Sequence, residues 1–360
     1  MADVRNIDGV DFSGKKVLLR ADFNVGIDGD GNVLERFKIE SAKEALLKIL
    51  SFPGAKVAVL SHFGRPEGKR DESFSLRTIL ETAEESLGTP LVFVDDCVGA
   101  PVAEALASVP EGHALLLENV RFHQGEEADD EAFARELAAP FDIFVNDAFG
   151  VCHRNQASVS TIAKLLPSYA GPRLIKEITT LDAARKNPSR PAVAVIGGAK
   201  IETKLPLLRQ FEQIYDAVLV GGRIANEALD QKIAFSEKVL LPVDFQGGAA
   251  RLDIGTETVT MFTQVLRLAK TIVWNGPLGK FEESPYNAGT NSILRVMLDS
   301  GADIVIGGGE SVAVLEQMGL IGKIGFVSTG GGAMLEYMSG KELPGIVALA
   351  KTTGVDDAEK

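Results

Sequence analysis

One pattern constrains this chain more than any other. A short run of Val, Ile, Leu and Ala stops at a cluster of Gly, Asn, Asp or basic residues, and the pattern recurs nine times. It occupies Val17–Asn24, Val57–Arg65, Ala114–Phe122, Asp142–Gly150, Ala192–Lys200, Ala217–Arg223, Thr271–Gly279, Asp303–Glu310 and Ile324–Gly332. Runs this continuously apolar read as parallel strands covered on both faces. Between them lie stretches with helical spacing, at Glu40–Leu50, Leu76–Leu87, Asp130–Leu137, Thr256–Ala269 and Gly289–Leu298. Strand–helix alternation predicts an α/β chain built on parallel sheets with helices on both faces. Ligands of such sheets bind beyond the carboxyl ends of the strands, so the polar tails are the candidate site.

The tails are of two kinds. The first four carry Arg or His within or just past the run; four of the last five carry paired or tripled Gly, and the remaining one, Thr271–Gly279, carries Gly276 and Gly279. A chain of 360 residues also exceeds what one core usually holds. Both observations point to two domains with different anionic ligands. Pro172–Lys186 opens on a proline suited to a first helical turn and stops before Asn187-Pro188, so it reads as a joining helix. The expected layout is residues 1–171, a helix at 172–187, and residues 188–344. The short tail, about 345–360, is not placed by the sequence, and packing on the first domain is one option.

The net charge is −13, which argues against nucleic acid as a partner while leaving room for a local basic pocket. No run approaches a membrane span, and the first residues lack the apolar stretch of a signal peptide, so a cytoplasmic location is expected. Cys97 and Cys152 show neither metal-ligand spacing nor a disulfide framework and read as ordinary reduced thiols. Asp28–Asn32 begins like a calcium loop, but Val33 and Ile39 occupy the positions that need Gly and Glu, so a turn is expected. Neither G-x-x-x-x-G-K-[ST] nor a strand-following G-x-G-x-x-G is present.

Candidate residues follow from the tails. Ser328–Gly332 precedes a helical pattern and lets a phosphate approach backbone amides at a helix start; Gly307–Ser311 repeats the arrangement. One such turn alone reads as a plain strand-to-helix connection. Two, joined by Gly197-Gly198 and Gly221-Gly222, point to a phosphate ligand. Lys200 and Lys204, four residues apart, are expected on one helical face. Asn275 ends another strand, and Glu282 follows with a carboxylate suited to ribose hydroxyls. In the basic half Asp22, Asn24, His62, Arg65, Arg121, His153 and Arg154 all lie at or just after strand ends. Arginine forks suit carboxylate and phosphate, so the implied ligand is small and polyanionic.

Most of these residues fall within a series of motifs: RADFNV (Arg20–Val25), SHFGRP (Ser61–Pro66), ENVRF (Glu118–Phe122), NDAFGVCHR (Asn146–Arg154), GGAK (Gly197–Lys200), LPVDF (Leu241–Phe245), LDIG (Leu252–Gly255), WNGPLG (Trp274–Gly279) and STGGGAMLE (Ser328–Glu336). In that order, over nearly the whole length, the chain closely resembles phosphoglycerate kinases. The resemblance implies two doubly wound, Rossmann-like domains with a hinge and cleft, working as a monomer. It implies 3-phosphoglycerate or 1,3-bisphosphoglycerate on the first domain and ADP or ATP with Mg²⁺ on the second. The acid's site would be Asp22, Asn24, His62, Phe63, Gly64, Arg65, Arg121, His153 and Arg154. The nucleotide's would be Gly197, Gly198, Lys204, Gly221, Asn275, Glu282, Gly308, Gly309, Glu310 and Ser311. Lys200 and Gly331 would face the transferring group, and Glu310 would meet Mg²⁺ through the nucleotide.

The chain departs from the family pattern at four places. Gly26 replaces a proline, Arg223 a third glycine, and Glu310 an aspartate. The family's catalytic arginine, counted from Gly31-Asn32-Val33, falls on Lys38, with Arg36 two residues earlier as the alternative. The chain is also shorter than the family norm, as trimmed loops would make it. The activity implied is reversible phosphoryl transfer from 1,3-bisphosphoglycerate to ADP in glycolysis and gluconeogenesis, by domain closure. The competing readings are a catalytically impaired nucleotide-binding relative and an interaction scaffold on the same fold.

Overall fold

The computed structural model describes residues 4–350. Contacts divide the chain into two units, one running to Ile178 and resuming at Glu342, the other Thr179–Lys341. The first holds a six-stranded sheet of β1 (Lys16–Arg20), β2 (Lys56–Leu60), β3 (Leu91–Val94), β4 (Ala114–Leu117), β5 (Ile143–Asn146) and β6 (Ser168–Ala170). The order is β3-β4-β2-β1-β5-β6 and every pairing is parallel. From β1 the chain winds outward through β2, then returns to the other side at β5. The strand order therefore reverses between β1 and β5.

Burial explains why these runs are strands. Val17, Leu19, Val57 and Val59 merge on one face with Leu46 and Ile49 of the helix Lys43–Leu50 and with Leu87 of the helix Leu80–Leu87. Leu18 and Ala58, on the opposite face, are equally buried. A strand covered twice needs apolar residues without alternation.

The second unit repeats the plan with β7 (Ala192–Ile196), β8 (Ala217–Val220), β9 (Val239–Leu240), β12 (Thr271–Asn275), β13 (Asp303–Gly307) and β14 (Phe326–Val327). Its order is β14-β13-β12-β7-β8-β9, again all parallel, with a reversal between β7 and β12. A two-stranded antiparallel ribbon of β10 (Phe245–Gln246) and β11 (Asp253–Ile254) stands apart. Every residue of β7 and of β12 is buried, as befits adjacent central strands.

The fold is the doubly wound α/β class expected, with nine strands beginning where the apolar runs begin. The other five, β3, β6, β9, β10 and β11, fall outside those runs. Among the helices, the expected Glu40–Leu50 is two pieces, Phe37–Glu40 and Lys43–Leu50. The Ser41 hydroxyl donates to the Lys38 carbonyl (2.6 Å) at that break and helps close the first turn. Pro172–Lys186 forms over the expected span, running from the first unit into the second. Asp28–Asn32 is a turn: Ile27 bridges Val33, and the Asp28 carboxylate accepts the amides of Asp30 and Asn32. The chain after Pro344 packs on the first unit, with Gly345 N–H donating to Cys152 O (2.9 Å) and Arg5 N–H to Leu349 O (3.1 Å). Residues 351–360 of the expected tail lie outside the described residues. Among the described residues no helix is long and apolar enough to cross a membrane.

One buried carboxyl holds the start of the joining helix. Asp147, just past β5, accepts the Leu174 amide (2.9 Å) with Oδ1, satisfying one orphan donor of that helix. Its Oδ2 is buried without a hydrogen-bond partner, and burial pushes its pKa up to about 7. A carboxyl raised in the folded state stabilises the fold below its unfolded pKa, and that contribution is lost as pH climbs toward 7. Asp147→Asn keeps an acceptor and removes the titration. We expect the wild type to lose on the order of 2–4 kcal/mol between about pH 4 and pH 7 relative to this variant. Urea unfolding across that range, with parallel pH profiles for the two proteins, would refute the assignment.

Candidate functional site

Strand register decides what meets at the two reversals. In the first unit Arg20 pairs with both Leu60 and Asn146, so the chain leaves β1, β2 and β5 at one level. The segments after them carry Asp22 and Asn24, then His62 to Arg65, then His153 and Arg154. The turn after β4 adds Arg121.

Hydrogen bonds lock these segments together. Asn24 Oδ1 accepts the Gly64 amide (2.9 Å), and Asn24 N–H donates to Asp22 Oδ1 (3.1 Å). Asn119 Oδ1 accepts the amides of Phe63 (3.2 Å) and Arg121 (3.0 Å), while its Nδ2 donates to Phe63 O (2.7 Å). Arg121 Nη1 donates to Gly64 O (2.7 Å). Gly64 has φ +61°, and a Cβ there would collide with the Phe74 ring, so only glycine fits this loop.

The chemistry of this cluster is positive. His62 is buried, and its pKa is held well below the usual histidine value by burial and by Arg20, Arg121, Lys38 and Arg154. Four cations thus face a neutral ring. Arg121 is itself buried, with its pKa lowered to about 10 by burial, Arg154 and Arg20. Its Nη2 has no hydrogen-bond partner, and Glu127 reaches its Nε only at 3.5 Å. Arg65 is exposed on the same loop and, among the described residues, makes no ion pair or hydrogen bond through its side chain. Buried donors left without acceptors are costly, and a bound anion would relieve that cost.

The sequence left Lys38 and Arg36 as alternatives, and the structure separates them. Lys38 Nζ donates to Asn24 O (2.9 Å) and lies 3.9 Å from Asp22 Oδ2. Arg36 turns away to pair with Glu85 (2.8 Å), about half exposed. Two contributors were missed. Arg20, buried inside β1, donates to Ser158 Oγ (3.1 Å) and lies 3.2 Å from His62 Nδ1. Ser158 in turn donates through N–H (2.9 Å) and Oγ–H (2.7 Å) to the buried Glu126. The signal for Arg20 was a lone cation within an apolar run.

In the second unit Asn275 pairs with both Ile196 and Gly307. Gly197, Gly276 and Gly308 therefore leave the sheet side by side. A Cβ on Gly197 would collide with the Gly276 and Pro277 carbonyls, and one on Gly331 with the Gly308 backbone. These turns interlock backbone to backbone, which brings the start of the helix Gly309–Gln317 close to the start of Gly331–Met338. Neither helix start carries a side-chain cap, so amide donors remain for an anion.

Asn275 and Ser311 brace this arrangement. Asn275 Nδ2 donates to Gly307 O (2.6 Å), its Oδ1 accepts from Lys204 Nζ (2.6 Å), and Ser311 Oγ accepts the Gly276 amide (2.8 Å). Burial lowers the Lys204 pKa to about 8, with Glu310 opposing. The expected shared helical face of Lys200 and Lys204 is corrected. The helix is Ile201–Ile214, and Lys200 sits before it with extended backbone (φ −132°, ψ 114°), because the glycine turn must finish before helical hydrogen bonding begins.

Beside these turns lies a cavity of about 330 Å³, lined by Gly198, Gly222, Pro277, Leu252, Phe281, Glu282 and Glu310 among others. Glycine and apolar surface from Gly198, Gly222, Leu252, Pro277 and Phe281 suits a flat ring system, while Arg223, Arg251, Lys280, Glu282 and Glu310 bring charge to the same lining. Asn226, also lining it, was missed by the sequence reading: its Nδ2 donates to Arg251 O (2.9 Å), and its Oδ1 is buried without a hydrogen-bond partner. Gly221 is buried directly before the helix Gly222–Asp230.

The phosphoglycerate kinase family model matches residues 7–234 and 228–341. The chain belongs to the phosphoglycerate kinase family. A phosphoglycerate kinase of Rhodospirillum centenum is 42% identical, the match covering 96% of this chain and 99% of that one. Another, of Bartonella quintana, is 40% identical over 96% and 98%. Among solved structures, the phosphoglycerate kinase of Coxiella burnetii superimposes with a TM-score of 0.80 at 32% identity, covering 97% of this chain and all of that one. That of Pyrococcus horikoshii gives 0.85 at 28%, covering 96% and 98%. The first alignment spans 393 positions, more than this chain's 360 residues, so the chain is trimmed relative to that phosphoglycerate kinase. Arg223, which departs from the family glycine, lines the cavity and pairs with Glu227 (3.1 Å).

The caged imidazole gives a direct check. In NMR titration of the full chain, His62 is expected to titrate well below the ordinary histidine value, and Arg121→Met should move its pKa upward by removing one facing cation. A wild-type His62 titrating at the ordinary histidine value would contradict the cage.

Proposed function

We propose that this chain catalyses reversible transfer of a phosphoryl group between 1,3-bisphosphoglycerate and ADP, yielding 3-phosphoglycerate and ATP. The observation that carries the reading is the pairing of two unlike anion sites on one chain. One unit offers cations around His62, with Arg121 donors left without hydrogen-bond acceptors, for a small phosphorylated acid. The other offers uncapped helix starts beside a cavity of mixed glycine, apolar and charged lining for a nucleotide.

On this reading Arg65, Arg121 and Arg154 bind the acid's phosphate, and Asp22 and Asn24 orient its hydroxyl. Glu282 takes the ribose, and the amides after Gly308 and Gly330 hold the nucleotide's phosphates. The accepting carboxylate is already ionised at neutral pH, so no general base is needed. Catalysis rests on alignment and on charge placed where the transferring group spreads its own. Lys38 and Lys200 supply that charge, with the amide of Gly331. The Glu310 carboxylate, exposed on the first turn of its helix and lining the cavity, is a hard oxygen donor of the kind Mg²⁺ accepts. When bound with the nucleotide, Mg²⁺ would neutralise phosphate charge. Transfer requires both ligands in line and water excluded, which we assign to closure about the joining helix.

The decisive experiment is a coupled assay with ATP, Mg²⁺ and 3-phosphoglycerate, drawing off the acyl phosphate with a dehydrogenase and following NADH. Rapid turnover is expected. Binding of both ligands without turnover would favour the impaired relative, which the ammonium of Lys38 in place of a planar guanidinium makes a specific alternative. Lys38→Met should lower kcat by roughly 100-fold or more with little change in KM for ADP, and Lys38→Arg should not. Lys200→Met should likewise reduce turnover far more than ADP affinity; equal losses would remove its assigned role.

A further inference from the structure

We propose that Asp96, Cys97 and His123 form a binding site for a thiophilic divalent cation of the zinc class. Nothing in the phosphoryl-transfer reading uses these residues together. Sequence spacing hid them, since Asp96 and His123 are 27 residues apart. Strand pairing unites them: β3 and β4 are neighbours with Val94 opposite Leu117, so the turns that follow both strands emerge side by side. Asp96 and Cys97 lie in the first turn, and His123 lies just past Val120–Phe122 in the second.

The donor atoms of the three side chains all lie within 4.8 Å of one another. His123 Nε2 and Asp96 Oδ1 are 2.9 Å apart. Tetrahedral zinc, with bonds of about 2.0–2.3 Å, would hold its ligands about 3.3–3.6 Å apart. Shifts of an ångström or less reach that arrangement. The donors are also pre-oriented. Asp96 Oδ1 accepts the amides of Cys97 (2.6 Å) and Val98 (3.3 Å), and the His123 ring stacks on Phe133 at 4.9 Å.

A sulfur, an imidazole nitrogen and a carboxylate oxygen make a set that zinc favours and Mg²⁺ does not. Cys97 is buried, whereas the side chains of Asp96 and His123 are 39% and 32% exposed, so the fourth position opens toward water. Binding would displace the thiol proton to solvent as the thiolate–metal bond forms. The ion would clamp the ends of β3 and β4 and brace the turn that carries Arg121.

The test uses the full chain, stripped with a chelator and titrated with Co²⁺. A near-ultraviolet thiolate-to-cobalt band should grow to saturation at one equivalent and be displaced by Zn²⁺. Cys97→Ser should abolish the band, Cys152→Ser should leave it, and His123→Gln should weaken cobalt binding at least about tenfold. Absence of the band in the wild type at millimolar Co²⁺ would overturn the proposal, whether or not any variant folds. So would a band that survives Cys97→Ser.

Discussion

Parallel strands covered on both faces have no side chain to spare for chemistry before their last residue, and everything else in this protein follows from that restriction. Function is displaced to the segments that leave the strands at their carboxyl ends, and strand register decides which of those segments are neighbours. Asn275 sits opposite both Ile196 and Gly307, so three glycines leave the second sheet in a row. Arg20 sits opposite both Leu60 and Asn146, so Asp22, His62 and Arg154 issue from adjoining strands. Packing of the cores and assembly of the sites are one event: a slip of one residue would undo both.

On the proposed reading, the two units answer the demand for an anion site by different physics. The second uses backbone. Its glycines let turns interlock at distances no Cβ tolerates, and its helix starts present amides that need no side chain. The first uses fixed charge held in a stiff frame. Asn24 and Asn119 tie the His62–Arg65 loop to its neighbours, so the guanidinium of Arg121 stays aimed though partly stripped of solvent. Cations held in this way give up solvation, a local instability that an anion would relieve.

Much of this was legible in the sequence because central strands and their tails are marked by composition. A continuous run such as Ala192–Ile196 has few other ways to fold, and the cluster after it is exposed by contrast. Peripheral elements carry no such mark. β3 buries only its two end residues, β6 is three residues long, and β9, β10 and β11 are two each. Side-chain direction was equally hidden. Whether Arg36 or Lys38 turns inward depends on the short helix Phe37–Glu40, and both alternatives fit the spacing. Neighbours supplied by different strands, as Asp96 with His123 or Arg20 with Ser158, were beyond any reading of local motifs.

His62 is neutral because it is buried among cations, and the arginines around it do not release protons near neutrality. A phosphate monoester acquires its second negative charge near pH 6, within the range where these arginines keep theirs. On the proposed reading, acidity would therefore register on the phosphate and not on the arginines that hold it: they are a fixed reference against which the ligand's own ionisation is weighed.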